Sequence, residues 1–169
     1  GPVGLGAVIN ARQRGARVIA VESHPWRVER ALLLGANAVI NPNDPDALRH
    51  ILDLCGGLGV DHALDCSGVP AAHRLCIDAA RRKGTVTFVG ESQHDTPIQI
   101  SRDMLRKGLT LHGSWHYNLK DTPHMMRLIG TLGSQLDLLI THTFPLEAVQ
   151  EAFELQLTGN CAKVLLKPW

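Results

Sequence analysis

Five short runs set the texture of the first two thirds of the chain: RVIAV (17–21), NAVI (37–40), VDHALDC (60–66), TVTFVG (85–90) and LTLHGSW (109–115). RVIAV is continuously apolar and β-branched, the mark of a strand buried on both faces. A helix-length stretch separates nearly every run from the next. A strand that leads through a helix to another strand of its sheet returns parallel, because the crossover passes over one face. This alternation predicts an α/β fold built on a doubly wound parallel (Rossmann) sheet.

The helices between the strands carry their own punctuation. Val3, Ala7, Val8 and Ala11 have helical spacing, closed by Gly15. Pro25 suits the first turn of a helix running through WRVERALLL to Gly35. Asp44 caps and Pro45 starts an amphipathic segment, DALRHILDLC, that Gly56 and Gly57 stop. PAAHRLCIDAARRKG reads as one helix with Arg81, Arg82 and Lys83 in its last turn, where the helix dipole favours cations. SRDMLRKG (101–108) reads as a short capped helix.

Past Tyr117 the pattern changes. DTPHMMRLIGTL and PLEAVQEAFELQLTG are helical, the second with Leu146, Val149, Phe153 and Leu157 on one face, and KVLLK (163–167) is a closing strand. Two helices with isolated strands read as an α+β return segment. The expected division is 1–117, a dinucleotide-binding domain, and 118–169, a C-terminal segment.

Charge and cysteine usage narrow the function. The formal net charge is +1, from 17 Lys and Arg against 16 Asp and Glu, with no basic stripe. No nucleic-acid or membrane partner is expected. No apolar run approaches the roughly 20 residues of a membrane span. The four cysteines form no CxxC pair, which argues against a disulfide framework and for a reducing, cytoplasmic setting.

The chemistry-bearing stretch is GPVGLGAVIN followed by RVIAVESHPW. Gly1 and Gly4 have the spacing of the second and third glycines of a GxGxxG turn. There, bare backbone and a helix N-terminus approach a pyrophosphate. Glu22 ends the next strand about 20 residues on, where a carboxylate accepts hydrogen bonds from adenosine ribose hydroxyls. A carboxylate there repels the 2′-phosphate of NADP, and Ser23 and His24 follow it instead of an arginine, so NAD is expected. Arg27 stands one turn into the following helix, within reach of the ribose or a phosphate edge. DCSG (65–68) and VGE (89–91) are two further strand ends, where ligands of such sheets bind.

With these residues in hand, the chain resembles the zinc-dependent medium-chain alcohol and polyol dehydrogenases, most closely a sorbitol- and threonine-dehydrogenase-like branch. GPVGLGA, VIAVE, LGANAVINP, GVDHALDCSG, GTVTFVG, LTLHGSW, LITHTFPLEAVQEAF and KVLL follow the family's order across essentially the whole chain. The resemblance implies hydride transfer between a small alcohol and NAD at a catalytic zinc. Gly1, Pro2, Val3 and Gly4 would face the pyrophosphate, Glu22 the adenosine ribose with Ser23 beside it, and Arg27 its edge. Cys66 and Ser67 would line the nicotinamide-ribose side, Val89 and Gly90 would lie beside the nicotinamide, and Ser114 and His116 would approach its end. Lys163 would bear on the pyrophosphate. LTLHGSW would be the edge strand through which homo-oligomers pair.

In that family the zinc ligands and most of the substrate pocket precede the glycine turn. Neither a HExxH nor a paired-cysteine spacing occurs here. His112 and His116 share a strand face and Cys66 lies at a strand end, which makes no three-ligand site. No catalytic and no metal-ligating residue is therefore expected in this chain, and zinc is expected only in an N-terminal domain outside it. The tyrosine–lysine pair of short-chain dehydrogenases is also missing, since Tyr117 has Lys120 at three residues and Asp121 at four.

The first glycine of the turn and its strand are expected upstream, in a longer native polypeptide. In the strand order 3-2-1-4-5-6 that strand stands between RVIAV and VDHALDC. Without it two ladders of backbone polar groups lack partners, so the chain alone is expected to be unstable, to bind NAD weakly and to turn over no substrate. Gly1-Pro2 also matches the scar of a cleaved tag. A different class of reading is a stand-alone NAD-binding regulatory or assembly module without catalysis. A zinc-free quinone or enoyl reductase would carry NADP-selecting arginines where Glu22-Ser23-His24 stand.

Overall fold

The computed structural model describes all 169 residues. They divide into two compact units, Gly1–Val39 with Tyr117–Trp169, and Ile40–His116.

The first unit opens with helix α1 (Pro2–Gln13). Its buried face is Leu5, Val8 and Ile9, whereas Val3, expected inward, is exposed. The three to four residue spacing from Leu5 to Ile9 sets the core stripe one step round the helix from Val3. Strand β1 (Ile19–Val21), helix α2 (Pro25–Leu33) and strand β2 (Ala38–Ile40) follow. Pro25 stands in the first turn of α2 as read, where its missing N–H costs nothing. β1 and β2 form a two-stranded sheet. Leu5, Val8, Ile9, Ala31, Leu34, Leu132 and Ala162 make the core of this unit, with Trp26 and Leu128 packed against it.

The rest of the first unit holds helix α5 (Thr122–Leu132), strand β6 (Ile140–Pro145), helix α6 (Val149–Thr158) and strand β7 (Lys163–Lys167). β6 pairs in parallel with β7, Thr143 opposite Leu165 and Phe144 opposite Leu166. KVLLK is therefore not isolated, and its partner ITHTFP is a strand the sequence reading did not assign. On α6, Phe153 and Leu157 of the expected apolar face are exposed, as is Leu146 just before it.

The second unit contains helix α3 (Ala47–Leu54), strand β3 (Val60–Asp65), helix α4 (Pro70–Ala79), strand β4 (Ala80–Phe88) and strand β5 (Thr110–Gly113). These strands form a parallel sheet in the order β3-β4-β5, with Ala63 opposite Val86 and Val86 opposite Leu111. Ile77, Ala80, Val86 and Leu109 form its core. α4 ends at Ala79, so Arg81, Arg82 and Lys83 belong to the strand and not to a last helical turn. Val60 pairs with Ala80, the ladder breaks, and it resumes at His62 opposite Thr85, with Lys83 at φ +60° in the break. Strand pairing overrides the helix preference of arginine and lysine. The segment Ile100–Leu105 is a π-helical turn with no side-chain cap, in place of the expected capped helix.

No strand joins β1-β2 to β3-β4-β5. Each sheet is parallel where the register is defined and is flanked by helices, the doubly wound pattern read from the sequence.

Candidate functional site

In the first unit the candidate residues gather around the end of β1. α1 begins at Gly1 with Pro2 in its first turn, no acidic residue there, and no side chain capping its N–H groups. Gly1, Pro2 and Val3 are exposed and Gly4 is half-buried. The main-chain nitrogen of Gly1 lies 3.5 Å from Glu22 Oε2.

Glu22 stands just past β1, and the chain turns back on its own carboxylate. Oε1 accepts the N–H groups of Ser23 at 2.8 Å and His24 at 3.0 Å. Oε2 lies 4.0 Å from Arg27 Nη1. Burial pushes the Glu22 pKa up, but the His24 and Ser23 N–H groups, with the Arg27 charge behind them, act against it and the carboxyl stays below its usual range. The side chain is an anion at neutral pH, with one oxygen held by two main-chain N–H groups and the other facing Gly1 N and Arg27.

Arg27 is positioned from two sides. Its Nε is buried and has no hydrogen-bond partner. Gly159, the αL residue closing α6 at φ +75°, presses on it: a Cβ at Gly159 would stand 3.1 Å from Arg27 Nη2 and 3.1 Å from His24 Cε1. Lys163, at the start of β7, is exposed and forms no ion pair with Glu22.

In the second unit the candidates occupy the carboxyl ends of neighbouring strands. Asp65 ends β3 and is buried. Its Oδ1 accepts from Ser67 N at 3.0 Å and Ser67 Oγ at 2.7 Å, and its Oδ2 from Gly68 N at 3.0 Å. Its carbonyl accepts from Val89 N at 2.9 Å and Gly90 N at 3.3 Å, which fastens the two strand ends together. The turns approach so closely that a Cβ at Gly68 would collide with the Glu91 carbonyl, and one at Gly90 with the Gly68 nitrogen. Gly68 also has φ +70°.

Cys66 lies inside this turn. Burial, and then the Asp65 charge, push its thiol up to about 11, so it presents a neutral group. Ser67 Oγ donates to Asp65 and accepts from Val69 N at 3.2 Å, so its hydroxyl is engaged within the turn. Ser114 N donates to Phe88 O at 2.9 Å, continuing the ladder past β5. His116 has φ +56° and an exposed ring 4.4 Å from that of Trp115. The sequence reading did not single out Asp65 or His73, whose pairing becomes visible only in three dimensions.

No group of three or more His, Cys, Asp or Glu side chains converges to hold a metal ion. All four cysteines are free thiols.

The sequence profile described as zinc-binding dehydrogenase matches residues 2–131. The chain is 36% identical over 171 aligned residues to an L-threonine 3-dehydrogenase of Caldanaerobacter subterraneus subsp. tengcongensis, covering 99% of this chain and 49% of the relative. Among solved structures, an alcohol dehydrogenase from Thermotoga maritima superposes with a TM-score of 0.91 at 27% identity, covering 99% of this chain and 48% of that one. A 2R,3R-butanediol dehydrogenase from Bacillus subtilis gives 0.90 at 28%, covering 100% and 49%. The chain spans about half the length of the curated relatives it matches.

Proposed function

The chain belongs to the zinc-binding dehydrogenase family, and from that membership we propose that it is the coenzyme-binding part of an NAD-dependent alcohol or polyol dehydrogenase. The observation that carries the reading is Glu22: an ionised carboxylate at the end of β1, one oxygen held by the Ser23 and His24 N–H groups. Such a group accepts the two hydroxyls of an adenosine ribose and repels a 2′-phosphate. The first turn of α1, which carries no acidic residue, supplies the Val3 and Gly4 N–H groups and a positive dipole end for the pyrophosphate. Arg27, with its buried unpartnered Nε, borders the ribose, Ser23 lies beside it, and Lys163 serves the pyrophosphate.

In the second unit Cys66, Ser67, Val89 and Gly90 offer backbone and neutral side-chain surface to the nicotinamide half, with Ser114 and His116 toward its end. Because Ser67's hydroxyl is engaged by Asp65 and Val69, the contribution of this turn is shape and main chain. Bound NAD supplies the hydride acceptor. The residues of this chain hold it, orient it and exclude water around it.

Zinc and the alcohol pocket fall to the part of the full-length enzyme beyond this chain, and residues 118–169 pack against that part. The exposed Leu146, Phe153 and Leu157 favour this docking. The relatives' named substrates, threonine and butanediol, are secondary alcohols, and a secondary alcohol or polyol is the proposed substrate class. β5 stands at the edge of its sheet, with Leu111 half-buried and Trp115 exposed, and is the proposed pairing strand of a homo-oligomer. Free thiols suit a cytoplasmic enzyme, and no helix is long and apolar enough to cross a membrane.

The test is titration of the full-length protein with NADH and NADPH, read by energy transfer from Trp26 or Trp115. NADH should bind and NADPH should bind far more weakly. Absence of NADH binding overturns the reading. Sedimentation of the same protein checks the oligomer.

A further inference from the structure

α4 carries a histidine where its core face would take an apolar side chain. His73 is 7% exposed, on the same helix as the fully buried Ile77, with its ring edge-on to Phe88 at 5.1 Å. A buried imidazole is costly without polar partners. His73 has one at each nitrogen: Nδ1 lies 2.7 Å from Thr96 Oγ1, and Nε2 lies 3.3 Å from Asp65 Oδ2. The second approach is close but off the hydrogen-bonding direction, since Nε2 has no aligned acceptor. It is a close polar contact, with the imidazole set against a carboxylate that three turn donors already grip.

What singles out this pair is where its bonds end. The Asp65 carboxylate fixes Ser67 and Gly68, and its carbonyl fixes Val89 and Gly90. Thr96 lies on the segment that leaves Gly90. One carboxylate and one imidazole thus tie together the turn after β3, the end of β4 and the segment beyond it. Gly68 and Gly90 leave no slack between the two turns. A shift of Asp65 would carry the turn after β3 and the end of β4 with it, and small displacements of a positioned group are expensive in binding and in catalysis.

We propose that Asp65 and His73 are positioning residues for the nicotinamide half of the coenzyme, holding the Cys66–Gly68 turn and the Val89–Gly90 strand end in register. This rests on the assignment of those turns to the nicotinamide half made above. Neither residue touches the reacting atoms. Both act through the turn.

The experiment compares the full-length protein with its H73L, H73Q and D65N variants, measuring dissociation constants for NADH and for ADP, which carries only the adenosine half. H73L should weaken NADH about tenfold while ADP changes less than about twofold, as expected when the polar contacts that brace the turn on the nicotinamide side are lost. D65N, which removes the charge and keeps the shape, should follow H73L. H73Q, which keeps a polar nitrogen-bearing side chain beside Asp65, should recover most of the NADH affinity. A purely structural residue would lower both ligands together and would not be rescued selectively. Equal losses for NADH and ADP, unchanged NADH binding in H73L, or no recovery in H73Q each overturn the positioning role. If the unmodified full-length protein fails to bind NADH, the coenzyme assignment falls, and this inference falls with it. Normal binding there with an indifferent H73L defeats this inference alone.

Discussion

Arg74 grips Asp103 with both ends of its guanidinium, Nη1 to Oδ2 at 2.8 Å and Nη2 to Oδ1 at 3.2 Å, while the same side chain reaches Asp78 on its own helix. Asp103 is buried, and it also accepts from Arg102 Nε and from the Gln99 N–H, each at 2.8 Å. This cluster ties the π-helical turn to α4. Asp103→Asn removes the buried anion and weakens its charge-assisted hydrogen bonds, while Arg74 keeps Asp78 as a partner, so the variant should lose about 1–3 kcal/mol in denaturant unfolding. The pH dependence has a definite sign. The hydrogen bonds from Arg74, then those from Arg102, hold the carboxyl well below the usual range despite its burial. A depressed native pKa contributes stability that is present above the unfolded value and lost on acidification, so stability should decline from about pH 4 downwards. The Asn variant should show a flatter acid limb. An unchanged acid limb would remove Asp103 from the account.

Glu22 yields a prediction about selectivity. Its carboxylate is ionised throughout the neutral range, so NADH affinity should be flat between about pH 6 and 8 as far as this group is concerned. Glu22→Ala in the full-length protein removes the carboxylate proposed to accept from the ribose and should weaken NADH about 10- to 100-fold. NADPH should lose little or gain, because the repulsion of its 2′-phosphate disappears. A variant in which both coenzymes weaken alike would mean that the residue supports the loop and does not read the ribose.

The legible part of this chain is the part whose signals are local. The surroundings of Glu22 were legible because the strand before it, the N–H groups after it and the helix of Arg27 all lie within a few residues. β3 was legible to within one residue of its end, yet the contact of Asp65 was not, since a strand-end acid looks solvated until His73, eight residues on, folds beside it. Arg81 to Lys83 misled because helix preference is weak beside a ladder that joins Val60 to Ala80. β6 escaped notice because Thr141, His142 and Thr143 interrupt its apolar pattern. Its strand character comes from pairing with β7, some 20 residues away. The exposed face of α6 looks like core in the sequence, and within this chain nothing covers Phe153 or Leu157.

Two glycines test the backbone argument against each other. Gly68 has φ +70° and no room for a Cβ beside the Glu91 carbonyl, so Gly68→Ala combines αL strain with a collision against main chain. A loss of about 2 kcal/mol or more is expected, with NADH affinity falling in the full-length protein. Gly130, inside α5, has an ordinary φ and open space where a Cβ would stand. Gly130→Ala should stabilise by about 0.5–1 kcal/mol through helix propensity. Thermal melts of the two variants should move in opposite directions.

Cys66 and Cys76 should be poor nucleophiles in the folded protein although neither is oxidised. Burial first, and the Asp65 charge second, raise Cys66 to about 11 and Cys76 to about 12. At pH 8 a thiol with a pKa near 11 is roughly 0.1% thiolate, against about a quarter for a free cysteine, so alkylation should be slower by about two orders of magnitude. The linkage has the opposite sign to that of Asp103. A native pKa raised above the unfolded one contributes stability below the unfolded value, and that stability is lost as pH climbs through the native value. The protein should weaken from about pH 8.5 upwards, and Cys76→Ala should blunt the alkaline loss while costing some packing. Iodoacetamide labelling followed by peptide mass spectrometry, with and without denaturant, reads both thiols at once. Denaturant should release them together. Rapid labelling of Cys66 in the native protein would mean that the turn after β3 opens freely, which the hydrogen bonds from Ser67 and Gly68 to Asp65 do not allow.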